Sequence, residues 1–407
     1  MMYQVKLLSL AMAVLTMPQT FMSATDTRVV ITVERPQKDP SNPVKSPFQG
    51  ERSAVDVAIL LDTSNSMNGL ISQAKSQLWT MVQQFAKAKK NGQTPLLRVA
   101  LFEYGNTHLP ASEGYIRQVV PLVDDLDKIS EALFALSTRG GDEYCGQVID
   151  EAITRLDWSS EPDSYQAIFI AGNEPFTQGT MDYRKACQRA IERGIVINTI
   201  HCGNHQAGVR GKWQHGAQLA EGEFFNIDQD RTVVHIPCPQ DQIIIRLNSE
   251  LNKTYLWYGS LEKRADYGRN QTTQDANAEG LAASVAVSRA VTKAGPAYGN
   301  RNRDLIDSLA MDEEILTKIP AKNLPKAMQK MSPEERTAHL RQMAKKRTEL
   351  QKQIHQQAAE RETYLAKERQ RLEEKSNHKT LGEAVVSAIG KQLQQAGFDT
   401  KDAGKAE

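Results

Sequence analysis

Residues 55–67, VDVAILLDTSNSM, join an apolar run of strand length to a loop of oxygen-bearing side chains. The run shows no apolar-polar alternation beyond Asp56, which is the pattern of a strand buried on both faces of a parallel sheet. After the loop, Leu70, Ala74, Leu78, Val82 and Phe85 fall on one helical face, so the unit reads strand, loop, helix. It recurs downstream. LLRVALF (96–102), SYQAIFIAG (164–172), IVINTIHCG (195–203) and FFNID (224–228) read as strands, and YIRQVVPL (115–122) as an antiparallel edge. Helical stretches at 124–136, 143–157 and 180–193 lie between them. The alternation predicts an α/β fold, a doubly wound, mostly parallel sheet with helices on both faces that binds its ligand at the carboxyl ends of the strands.

Outward from this core the character of the chain changes. Residues 1–24 read as a cleaved signal peptide: Lys6 precedes the apolar run LLSLAMAVLTM, Pro18 breaks it, and Ser23-Ala24 offers a cleavage site. The run is about eleven residues against the roughly 20 a membrane span needs, so the mature chain is expected to carry no transmembrane span and to be periplasmic or secreted. Residues 25–52, with Pro36, Pro40, Pro43 and Pro47, suit an extended arm, and the sheet domain is expected over 53–240. Residues 241–330 read as a helical extension with segments at 243–258 and 276–293, and 331–407 as a charged helical tail.

That tail opens on a capping box, Ser332 with Glu335, with Pro333 at the first helical position. Unbroken over about 45 residues it would reach roughly 65 Å. Leu340, Met343, Leu350, Ile354 and Tyr364 keep a three-four spacing, while Arg347, Gln357, Arg361 and Glu368 interrupt the seam. Both a solvated or hairpin-packed helix and an oligomerising coiled coil are compatible with this pattern. Thr380 and Glu383 form a second capping box before a stripe of Leu381, Val385, Ile389 and Leu393 that requires a partner.

The chemistry lies in the loop at the end of the first strand. Asp62, Ser64 and Ser66 stand at alternate positions, one carboxylate and two hydroxyls aimed at one point, and oxygen donors suit a hard divalent cation, Mg2+ or alternatively Mn2+ or Ca2+. Two further loops at the same edge carry oxygen-bearing residues, Gly140-Gly141-Asp142-Glu143 and Gly172-Asn173-Glu174. With these residues, positions 53–235 resemble a von Willebrand factor type A (VWA) domain, whose metal ion-dependent adhesion site combines a DxSxS loop with a Thr or Asp from a second loop and an Asp from a third. The resemblance implies Asp62, Ser64, Ser66, Asp142 and Asn173 as metal ligands. Asn173 stands where the family has Asp, and Glu143 and Glu174 are neighbours able to substitute. A partner's acidic side chain would complete the coordination.

Lys and Arg number 50 against 49 Asp and Glu, so no charge excess draws the chain to nucleic acid. Phosphate-binding, zinc-protease, nucleophile-elbow and dinucleotide motifs are all missing, and a non-enzymatic role is expected. Cys145 and Cys202 are both placed at the binding edge, where a disulfide could join them in an oxidising compartment; Cys187 reads as core, and Cys238 stands between two prolines. His201, Cys202 and His205 lack the second ligand cluster that structural zinc requires. The main expectation is an exported module that captures a protein through a divalent cation. The rival is an envelope scaffold that acts through its C-terminal helices, oligomerising there, with a vestigial metal loop.

Overall fold

The structure is a computed structural model and describes residues 53–67, 71–227, 236–373 and 381–400. The expected signal peptide and arm, and the capping residue Thr380, lie outside these. The elements of the sheet domain run β1 (Ala54–Asp62), α1 (Ile71–Ala86), β2 (Leu96–Tyr104), β3 (Ile116–Val123), α2 (Leu126–Ala135), α3 (Cys145–Arg155), β4 (Tyr165–Gly172), α4 (Tyr183–Ile191), β5 (Ile195–Cys202), α5 (His205–Arg210), α6 (Trp213–Leu219) and β6 (Phe224–Ile227). They build a six-stranded sheet of order β3-β2-β1-β4-β5-β6. Only β3 is antiparallel, at the edge as the sequence predicts, and it pairs with β2.

β1 lies between β2 and β4, where the winding reverses, so its carboxyl end opens into the crevice between neighbouring loops. Alternation along the strands divides the interior into two layers. Val55, Val57 and Leu61 face α1 and α2, against Trp79, Phe85, Ile129 and Leu133. Ala58 and Leu60 face the other way, against Val148 and Ile149 of α3 and Ala186 and Cys187 of α4.

The chain continues as α7 (Pro239–Asn252), α8 (Leu261–Leu281), α9 (Ala283–Ala294), α10 (Leu305–Leu309), α11 (Ile315–Lys318), α12 (Pro333–Glu373) and α13 (Leu381–Gln395). The expected 276–293 segment is instead two helices. Ala282 adopts an extended conformation between them, and α8 begins at a Ser260 cap whose hydroxyl accepts the Lys263 N–H. α7, α8, α9, α12 and α13 add residues to the first layer of the core, while Leu305 of α10 forms a separate cluster with Leu256, Leu324, Met328 and Leu340. α9 packs on α1, and α13 on α1 and β6, with Val385, Ile389 and Leu393 buried. Gln392 of α13 accepts the Tyr165 hydroxyl at 2.6 Å and donates to Asn198 Oδ1 at 2.8 Å beneath the sheet.

α12 starts with the expected reciprocal capping box: Ser332 N–H donates to Glu335 and Glu335 N–H to Ser332 Oγ. Its seam is filled from within the chain, by packing against α7 and α9. Leu340, Leu350, Ile354 and Leu365 are buried, and so are the two arginines that interrupt the seam. Arg347 forms a two-pronged pair with Asp304 at 2.8 and 3.0 Å and lies over the Tyr255 ring; Arg361 pairs with Asp241 at 2.6 Å.

Asp304 is fully buried, so removing its cation leaves a charge without compensation. Arg347→Ala is expected to cost about 3–5 kcal/mol of unfolding free energy by chemical denaturation. Lys345→Ala, at an exposed position of the same helix, is expected to stay within about 0.5 kcal/mol of the wild type.

Candidate functional site

The end of β1 and three loops meet at Asp62. The DTSNS loop leaves the strand, turns through a short 3-10 segment (Asn65–Met67) and is fastened to its neighbours by its own backbone: Thr63 N–H donates to Tyr104 O and Thr63 O accepts Arg139 N–H. Asp62 is fully buried. Its Oδ1 accepts Ser64 N–H at 2.7 Å, while its Oδ2 has no hydrogen-bond partner. Ser64 Oγ and Ser66 Oγ are 2.7 Å apart, and Ser66 donates to Asn173 Oδ1 at 3.0 Å. The first and third loops therefore meet through Ser66 and Asn173.

The second loop departs from expectation by one residue. Asp142 is turned out to solvent, where its carboxylate accepts the Tyr144 hydroxyl at 3.2 Å. Glu143 is turned in and 5% exposed, with its backbone N–H held by Gln178. Two glycines make the room. Gly105 has φ +77°, and a Cβ there would stand 2.8 Å from Glu143 Cγ and 2.9 Å from Asp62 Oδ1; one on Gly141 would stand 2.5 Å from Gly105 O. The cue available in sequence was the pair of adjacent carboxylates after Gly140-Gly141, whose facing a loop does not encode.

Burial first, then the Glu174 charge, raise Asp62 to about 6, although hydrogen bonds from Ser64 pull the other way. Burial and then the Asp62 charge raise Glu143 to about 8. The arrangement is short of positive charge: two close carboxyl groups, one with an orphaned buried oxygen, beside two hydroxyls and an amide oxygen. These donors fit a hard divalent cation in type. No group of three or more His, Cys, Asp or Glu side chains placed to hold a metal occurs among the described residues, so such an ion would depend on the hydroxyl and amide oxygens as well.

The cysteines correct another expectation. All four are free and buried, and Cys145 and Cys202 are not joined. Cys145 packs in the α3 and α4 layer beneath Tyr104, its Sγ 3.8 Å from the hydroxyl, whereas Cys202 belongs to the opposite layer. The sheet separates them. Burial raises the thiols of Cys145, Cys187 and Cys202, which keeps them protonated and unreactive. His201 bonds Asn226 and lies against Trp213, and His205 lies against Phe224.

A doubly wound sheet with a DxSxS loop at its switch point defines a von Willebrand factor type A domain. The model of that family, the von Willebrand factor type A domain, matches residues 56–229, and this part of the chain belongs to it. Domains of the family commonly bind proteins, in some cases with a metal. Among solved structures, the conserved hypothetical protein BatB from Bacteroides thetaiotaomicron is 17% identical over 43% of this chain and 91% of its own, with a TM-score of 0.33. The vWF domain of the type V pili tip protein Mfa5 from Porphyromonas gingivalis is 13% identical over 44% of this chain and 91% of its own, with a TM-score of 0.32. Proximal thread matrix protein 1 from the mussel byssus, solved with a zinc-occupied MIDAS motif, is 14% identical, with a TM-score of 0.33; the match covers 44% of this chain and 43% of that one. No curated protein matches the chain.

The two raised carboxyl groups set a pH dependence. Each binds its proton more tightly in the folded chain than in the unfolded one, so the stability it contributes is complete below about pH 4 and is lost as pH rises through the folded value. In chelator, the melting temperature of the wild type is expected to fall as pH rises through about 6 and about 8. Glu143→Gln removes the upper part of that fall, as thermal melts across this range will show.

Proposed function

We propose that the chain is an exported, non-enzymatic binding protein whose VWA domain captures a protein partner through a divalent cation. Asp62, Ser64 and Ser66 would hold the ion, with Glu143 in the role the sequence assigned to Asp142 and Asn173 from the third loop. Magnesium is the first choice, with manganese or calcium as alternatives, because every donor is a hard oxygen. An acidic side chain of the partner would take the remaining coordination position. The observation that carries this reading is the buried Asp62 Oδ2, which no protein group satisfies although its carboxyl lies beside a second one. A cation there would relieve both the unmade contact and the repulsion.

The residues that would direct export lie outside the described part, and no helix among the described residues is long and apolar enough to cross a membrane. A scaffold acting through an oligomerising α12 finds less support, since the buried face of that helix is occupied by α7 and α9 of the same chain.

Magnesium at about 100 times its dissociation constant is expected to add about 2.7 kcal/mol to the unfolding free energy of the wild type and almost nothing to that of Asp62→Ala. In pull-downs from envelope extract, capture of the partner is expected to disappear with EDTA and with Asp62→Ala. Capture that survives both treatments would reject the mechanism.

A further inference from the structure

Far along the chain from the metal loop, three side chains from consecutive helices meet in an arrangement that ion pairing alone does not require. Lys293, in the last turn of α9, is fully buried. Its Nζ is 2.5 Å from Oδ1 of Asn252, the final residue of α7, and 2.8 and 3.0 Å from the two oxygens of Asp275 in α8. The Asn252 amide nitrogen in turn donates to Asp275 Oδ2 at 2.7 Å. One carboxylate therefore touches both an amine and the nitrogen of the carboxamide beside it. Adding a carbonyl bond of about 1.23 Å to the Nζ–Oδ1 distance places the amine within about 3.7 Å of the Asn252 Cγ.

We propose that Lys293 and Asn252 become joined by an intramolecular isopeptide bond, with Asp275 as the proton carrier. Asp275 takes a proton from the Lys293 ammonium, and the freed Nζ lone pair attacks Cγ of Asn252. The Cγ–Nδ2 bond breaks as Asp275 passes that proton to the departing nitrogen, and a second Nζ proton, shed as the new amide forms, follows by the same carboxylate. Lysine ammonium and carboxamide are thus converted to a secondary amide and an ammonium ion, with no oxidant, reductant or added group. Holding the partners in contact supplies the proximity that makes amide exchange feasible at an unactivated carboxamide.

The surroundings favour each part. Burial lowers Lys293 to about 8 against the opposing pull of Asp275, which enlarges the fraction of free amine. Burial alone would raise Asp275, but Lys293 and Arg289 outweigh it and hold the carboxyl at about 2, so it stands as a carboxylate between the amine and the carboxamide. Arg289 Nε fixes Asp275 Oδ1 at 2.6 Å. A cavity of about 220 Å³ lined by Asn248, Asn252, Asp275 and Arg289 gives ammonia a way out. The bond would tie α7 to α9 across the full length of α8.

Mass spectrometry of the full chain under denaturing conditions tests this on the wild type itself, without reliance on a variant that must fold. The expected result is a mass lower by one ammonia than that of Lys293→Arg after allowing for the substitution. A tryptic digest should give the peptides containing Asn252 and Lys293 as one branched species, absent from Lys293→Arg and Asp275→Ala. Full mass for the wild type, with both peptides recovered as separate linear species, would overturn the proposal and leave the trio as an ion pair. An ammonia deficit located at any other residue would overturn it equally.

Discussion

The central strand has no side that can face water. β1 is apolar toward both layers from Val57 to Leu61, so helices must cover it front and back, and its backbone must pair with β2 and β4 on either side. Where the apolar run stops, covering stops too, and the first polar residue beyond it is Asp62. The carboxylate is therefore delivered to the floor of a crevice by the same rule that builds the sheet. It remains buried because Gly105 and Gly141 let the neighbouring loops close over it.

Much of this was legible in the amino-acid string. The VDVAILL run, the later strands, the edge position of β3 and the DxSxS loop follow from hydrophobic pattern and turn chemistry, which act over a few residues. What escaped depends on facing or on distant partners. Asp142 and Glu143 are adjacent and chemically alike, and only the path of the loop into α3 decides which one turns inward. Strand alternation could have kept Cys202 apart from Cys145, since Ile195 and Ile197 point into the layer that holds Cys145 and Cys202 falls on the opposite parity. α8 was missed as far as residue 275 because its residues are polar nearly all round, which leaves hydrophobic periodicity nothing to register.

The C-terminal helices show a second kind of hidden information. Arg347 and Arg361 interrupt an apolar seam when α12 is read alone, and this spoke against a coiled coil. In the fold they are contacts in their own right, each matched to a buried or nearly buried carboxylate from the preceding region. Arg289 does the same between α9 and the body, pairing with Asp127 of α2 at 2.8 Å and stacking over Trp79 of α1. Such pairs are poor sources of net stability, because dehydrating both ions offsets most of their attraction. They are strict about geometry, however, and a helix shifted by one turn would strand both charges.

The insertion of α12 and α13 into the interior bears on how this protein could be inherited or re-engineered. The part recognisable by family ends at residue 229, yet Leu350, Ile354, Val385, Ile389 and Leu393 lie in the same apolar layer as Val57 and Phe85. A gene fusion or truncation that respects the recognisable boundary would cut through shared oil. The smallest portable piece is the whole stretch from the first strand to the last helix, and recombination that spares function must carry it undivided.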